Sequence, residues 1–195
     1  MYDHDYPSDA LGMAIPYSTY DTLANRGFVV VGTSHETPAF AVAALALWWQ
    51  DCGMKTYPQA KELLILVDCG GGNGARVRAW KYHLQYEICD RFGLKVTVCH
   101  YPPGASKWNP ADHRLHSEIS KNWAGKPLTS YETVLKYIRT TKTETGLSVQ
   151  ARLYRKHYEI GERISNVEMA KLQLTRHETN PNWNYTLDPH RPSKM

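Results

Sequence analysis

The chain has 195 residues and a net charge of +4, with 42% hydrophobic and 22% charged residues, which describes one domain with a full core, or a domain plus a tail, rather than a disordered segment. The mildly basic balance permits a nucleic-acid partner without requiring one. The longest apolar run, Pro38 to Trp49, falls short of the roughly 20 residues that cross a bilayer, and the polar, acidic start Met1-Tyr2-Asp3-His4-Asp5 is no signal peptide.

Residues 1–27 read as irregular, because Pro7, Gly12, Pro16 and Gly27 break any period. Phe28-Val29-Val30-Val31, closed by Gly32, predicts a short buried strand. Thr37 is placed as a helix N-cap with Pro38 at the first helical position. That helix is expected to reach Cys52, with Phe40, Ala44, Leu47 and Trp48 on one stripe, and to stop at Gly53. Leu63 to Val67 predicts a central strand covered on both faces. Gly70 to Gly74 form a tight loop, followed by a long helix over about Ala75 to Phe92 that Gly93 ends. Lys95 to Tyr101 is a further strand, broken by Pro102-Pro103. Asn109 caps and Pro110 opens a helix to about Trp123, and Ser130 caps another to about Thr140. Alternating strands and helices imply an α/β fold with parallel strands. Residues 146–195 change character and read as a carboxy-terminal extension of the core in residues 1–145, with a short strand pair near Val149–Tyr158 and a helix near Asn166–Leu172.

The chemistry points first to Asp68. It follows the best strand and precedes a glycine loop, the sheet edge where open α/β folds bind ligands, and a carboxylate there suits a divalent metal. Asp68-Cys69-Gly70-Gly71-Gly72-Asn73-Gly74 also resembles the first motif of S-adenosylmethionine-dependent methyltransferases, although the next strand ends Val98-Cys99-His100-Tyr101 without the ribose-binding acid that such enzymes carry. No Gly-Lys-Ser/Thr follows the glycines, which excludes a P-loop. Cys52, Cys69, Cys89 and Cys99 form no C-x-x-C pair, so neither a zinc knuckle nor a disulfide framework is expected. Asp112 stands in the first turn of the helix after Asn109-Pro110, where an acid is held rigidly and also complements the helix dipole.

Tyr101-Pro102-Pro103 through Asn109-Pro110-Ala111-Asp112 resembles the strand–diproline–helix stretch of mariner-like and related insertion-sequence transposases, in which the last acid is the third catalytic carboxylate. The likeness is closer to the Rhodopirellula-type insertion-sequence transposases. It runs through Gly27-Phe28-Val29-Val30-Val31-Gly32-Thr33, Trp48-Trp49, Tyr57-Pro58, Asp68 with its glycine loop, Arg76-Val77-Arg78 and Trp80-Lys81. It continues through Cys99-His100-Tyr101-Pro102-Pro103-Gly104, Ser106-Lys107-Trp108-Asn109, His113-Arg114-Leu115, Asn122-Trp123 and Trp183-Asn184-Tyr185, so nearly the whole chain is covered.

The resemblance implies a ribonuclease-H-like catalytic core of the DDE type, in a bacterial, cytoplasmic, nucleoid-associated enzyme. Three acids would bind two Mg²⁺ or Mn²⁺ ions for cleavage and strand transfer at insertion-sequence ends. Asp68 and Asp112 take the places of the second and third acids. The first would lie on an opening strand before Met1, and Asp3, Asp5 and Asp9 are not assigned to it. The chain is therefore expected to be an amino-terminally truncated, inactive form, with self-association through the edge the opening strand would cover, or with a missing amino-terminal part as partner. Asp112 also stands where the family usually has Glu, and is one methylene shorter. Lys107 and Arg114 beside Asp112, and Arg76, Arg78 and Lys81 after the glycine loop, are the candidate DNA contacts, the last three equally readable as solvated helix charges. His100 is read as a structural hydrogen-bonding residue, Trp48, Trp49, Trp80 and Trp123 as core, and Glu118 as a solvated acid. Alternatives are a methyltransferase and a non-catalytic DNA-binding remnant.

Overall fold

The computed structural model describes residues 12–190; Asp3, Asp5 and Asp9 lie outside them. The chain forms two compact units, Met1–Glu36 with Asn109–Tyr158, and Thr37–Trp108 with Glu159–Met195. Residues 146–195 thus contribute to both units. The architecture is mixed α/β with two mixed sheets, where the sequence predicted parallel strands. The antiparallel pairs come from one tight hairpin near the start and from two short strands near the end.

In the first unit, β1 (Ile15–Asp21) pairs antiparallel with β2 (Arg26–Gly32), which pairs in parallel with β5 (Ser148–Tyr154). Ile15–Asp21, within the segment expected to be irregular, is therefore half of a hairpin. Pro16 is tolerated because, among the described residues, β1 lies at the edge of its sheet, where a missing N–H can face away from the ladder. Asp21 closes the turn by accepting from the backbone N–H groups of Leu23 and Ala24 at 3.1 and 3.0 Å, and Asn25 adopts φ 51°. The apolar run of β2 is buried from Gly27 onward, as its composition predicts. Gly27 itself is needed because a Cβ there would collide with the Leu115 side chain. A helical stretch starts beside Asn109, begins with a π-type turn over Asp112–His116 and continues as α4 (Ser117–Trp123). It packs with α5 (Tyr131–Arg139) on the sheet, around Val29, Val31, Leu115, Ile119, Ile138 and Val149. Ser130 caps α5, accepting from Thr133 N–H at 3.1 Å. The expected strand pair near Val149–Tyr158 is the single strand β5.

In the second unit, Thr37 caps α1 (Pro38–Trp48) through Phe40 N–H at 3.1 Å. The helix does not stop at Gly53. A π-type turn over Trp49–Gly53 leads into α2 (Met54–Thr56), and Gly53 stays helical with the Trp49 indole covering the space a side chain would fill. The sheet runs β3 (Glu62–Val67), β4 (Lys95–His100), β7 (Asn184–Leu187), β6 (Leu174–Arg176), with β3 and β4 parallel and the other pairs antiparallel. β3 was expected to be central. Among the described residues it pairs only with β4, and Leu64 and Leu66 are 61% and 46% exposed. Its five apolar residues alternate between solvent and core rather than being covered on both faces. Helix α3 (Arg78–Leu84) continues as a π-type turn over Gln85–Asp90 and ends at Gly93, φ 66°. It starts three residues after the position expected from sequence, because Gly71–Gly74 and Gly74–Val77 backbone hydrogen bonds turn the chain first. Trp80, Leu84 and Ile88 form its buried face, and Trp48 at the end of α1 and Trp49 in the turn after it are buried as well. Helix α6 (Asn166–Ala170) carries a capping box made by Ser165 and Glu168.

Candidate active site

Asp68 leaves the carboxyl end of β3, half-buried. Its backbone is fixed from the neighbouring strand. His100 Nδ1–H donates to the Asp68 carbonyl at 3.1 Å, and Tyr101 N–H donates to the Val67 carbonyl at 2.8 Å. A carbonyl only accepts, so the proton of the neutral ring sits on Nδ1. Burial holds His100 below its ordinary pKa, the Asp68 carbonyl opposing and Lys81 reinforcing. His100 is thus the hydrogen-bonding brace that the sequence suggested. The Asp68 charge reaches its neighbours as well: burial first, then Asp68, raises the Cys69 thiol and the Tyr101 phenol. Arg76 pulls Cys69 the other way.

The glycine loop has a packing explanation. A Cβ on Gly72 would lie 3.0 Å from the Thr37 carbonyl carbon, and one on Gly74 would lie 2.8 Å from the Cys69 carbonyl oxygen. Both glycines let the loop lie against the start of α1 and close on itself.

Asp112 lies at the start of the π-type turn with its side chain one-third exposed. Its carboxylate accepts from His116 Nδ1–H at 2.9 Å, and His116 Nε2 then accepts from the Ser18 hydroxyl on β1. This relay fixes the carboxylate that the shorter side chain would otherwise leave free. The sequence held half of that signal, since Asp112 and His116 stand four residues apart on one helical face. Ser18, 98 residues away from His116, was not legible.

Asp68 and Asp112 belong to different compact units. Both offer the hard oxygen ligands that Mg²⁺ takes. Among the described residues no group of three or more His, Cys, Asp or Glu side chains gathers as a metal site, so the donor type fits a divalent ion while the donor number is short of a closed cage. No helix among the described residues is long and apolar enough to cross a membrane. All four cysteines are free thiols.

The basic candidates separate. Lys107 is exposed with its ammonium 5.4 Å from the Trp108 ring centroid, and Arg114 is exposed on the Asp112 turn. Arg76 and Arg78 are exposed at the start of α3. Lys81 is only 5% exposed, so it is neither a solvated helix charge nor a surface phosphate contact. Its ammonium donates to the Ala75 carbonyl and lies 5.1 Å from the Tyr185 ring centroid. Burial, with Arg176 adding to it, pulls its pKa down to about 8. Glu118 is paired with Lys121 at 2.6 Å and its side chain is 25% exposed, rather than fully solvated.

No curated protein and no solved structure matches the chain. A family model described as the Rhodopirellula transposase DDE domain matches residues 1–189, and the chain belongs to that family.

Proposed function

We propose that the chain is the ribonuclease-H-like catalytic portion of a DDE transposase, with Asp68 and Asp112 as its second and third metal-binding acids. The observation that carries this reading is the braced Asp68 at the carboxyl end of β3, in a chain that matches the transposase domain over residues 1–189. Bound Mg²⁺ or Mn²⁺ supplies Lewis acidity toward a phosphodiester, a nucleophilic water or a DNA 3′-hydroxyl. The protein's part is to hold two carboxylates in place: Asp68 through its anchored backbone, Asp112 through His116 and Ser18. Lys107 and Arg114 would draw DNA phosphates, Arg114 from the Asp112 turn itself. With Asp112 one methylene shorter than the family's usual Glu, the site is expected to hold metal weakly and leave DNA uncut.

Millimolar Mn²⁺ is expected to broaden amide resonances around both Asp68 and Asp112, and Asp68→Asn or Asp112→Asn to remove the broadening at the replaced site. Transposon-end DNA with Mg²⁺ or Mn²⁺ is expected to remain intact. Absence of broadening at both acids would overturn the metal assignment. Efficient cut ends that vanish in Asp68→Ala would keep the assignment and overturn the inactivity.

Among the described residues β3 pairs on one side only and leaves Leu64 and Leu66 exposed, which offers backbone and apolar surface to a second copy. We expect concentration-dependent self-association by sedimentation, abolished by Leu64→Lys with Leu66→Thr. A monodisperse monomer at all concentrations contradicts this.

A further inference from the structure

The second unit contains a concave cavity of about 740 Å³ whose wall carries Arg76, Arg78, Lys81 and Arg176, with Leu172 and Trp183 on its apolar side. Among the described residues no carboxylate lines it. Arg78 is anchored through the Ile164 carbonyl at 3.1 Å. Arg176 is held by the Pro181 carbonyl at 2.8 Å and the Asn182 side-chain oxygen at 3.3 Å. These are neutral acceptors, so neither set of bonds offsets the charge of its guanidinium group. Lys81 sits beneath them, buried, with the Ala75 carbonyl as acceptor. Gathering four cations from α3, the loop before it and β6 without an acid costs repulsion, and Lys81 carries part of that cost, since Arg176 adds to the burial that lowers its pKa. An anion removes the repulsion. The apolar lining residues distinguish the site from a plain basic patch: the cations suit a phosphate group, and an indole such as that of Trp183 suits a flat ring. The size lies within the usual range for a small-molecule or single-nucleotide pocket.

We infer that this cavity receives one nucleotide of an unpaired DNA strand, its flanking phosphates on Arg76, Arg78 and Arg176 and its base against Trp183. The identity of the ligand as DNA rests on the transposase reading. The binding itself needs neither Asp68 nor Asp112 nor a metal, so the two readings fail separately.

The test is fluorescence anisotropy of the full chain with a labelled single-stranded oligonucleotide, the matching duplex, and inorganic phosphate as competitor, in the presence of a chelator. Arg76→Gln with Arg176→Gln removes two exposed cations and is expected to weaken single-strand binding about tenfold. The slope of log affinity against log salt should flatten by roughly 1.4. Lys126→Gln with Lys136→Gln removes the same charge from the other unit and is expected to change binding far less. Trp183→Leu, checked for an unchanged melting temperature, should erase the preference for single strand over duplex. Equal losses in the two charge-removed variants would overturn the site. So would an equal loss of duplex and single-strand binding in the cavity variant, or displacement by phosphate as tight as by the oligonucleotide. If Trp183→Leu does not fold, the arginine pair alone decides.

Discussion

Lys81→Met is expected to stabilise the chain at neutral pH by about 1–2 kcal/mol and to remove a pH dependence that the wild type shows. The folded lysine titrates at about 8 against an ordinary value of 10.5. Below pH 8 both folded and unfolded chains carry the proton, and the folded chain bears the cost of a buried charge. Between pH 8 and 10.5 the folded side chain is neutral while the unfolded one still binds a proton, so stability climbs with pH. The climb amounts to roughly 3 kcal/mol. Screening does not reduce this much, because Lys81 is 5% exposed. Methionine keeps the apolar stem and loses the donor to Ala75 and the contact with Tyr185, a loss of about 1–2 kcal/mol. The gain wins at pH 7 and the loss wins above pH 10. Urea unfolding of wild type and variant across this range measures it as a difference. The buried Cys89 thiol, raised to about 12, destabilises both proteins equally at high pH and cancels. A difference that does not vary with pH would mean that Lys81 is hydrated in solution.

Gln85→Leu is expected to cost about 2–5 kcal/mol, because leucine fills the space and supplies none of the bonds. Gln85 is fully buried and links three chain segments. Its amide donates to Asp90 at 3.0 Å and to the Asp188 carbonyl at 2.9 Å, and its oxygen accepts from Gln173 N–H at 2.9 Å. Asp90 is also held by His190, through the backbone N–H and the ring Nδ1–H, each at 2.8 Å. The other ring nitrogen faces the Lys171 carbonyl at 2.9 Å, so His190 has acceptors on both sides and favours the imidazolium. Its pKa is raised, chiefly by the Asp90 bond. Burial alone would raise Asp90, but the bonds from His190 and Gln85 hold it below its ordinary value. The Asp90 contribution is lost as acid protonates it, and the His190 contribution is lost as pH rises through its raised value. The clamp is therefore complete between the ordinary values of 3.8 and 6.5. Urea unfolding at pH 6 measures the cost of Gln85→Leu, and proteolysis near residues 173–190 should accelerate in parallel. A loss under about 1 kcal/mol would mean that water replaces the amide.

Much of the local structure was legible where a residue type has one strong physical use. Thr37-Pro38, Ser130 and Asn109 mark helix starts because their oxygens accept from the first free N–H groups. Asp68 was legible from its place after a β-branched and leucine-rich run. The hairpin at Ile15–Asp21 was not, because Pro16 and Gly27 count as breakers in a sequence and as an edge residue and a packing gap in the fold. Nor does a run of apolar residues say that both faces of its strand are covered, and those of β3 alternate between solvent and core. The burial of Lys81 could have been found: it stands three and seven residues before Leu84 and Ile88, on the face those residues bury. The role of Arg176 could not, since it meets Lys81 only through the pairing of β6 with β7.

The two compact units exchange chain at three points, after Glu36, Trp108 and Tyr158. On a ribosome this matters for timing. β3 and β4 emerge early but wait for β7, which seals β4 with Tyr185 and Leu187, until nearly the whole chain has been made. Likewise β2 waits for β5. For most of synthesis both half-built sheets leave apolar surface open, so the nascent chain is a natural client for chaperones, and synonymous changes that slow translation should alter its yield more than its final stability.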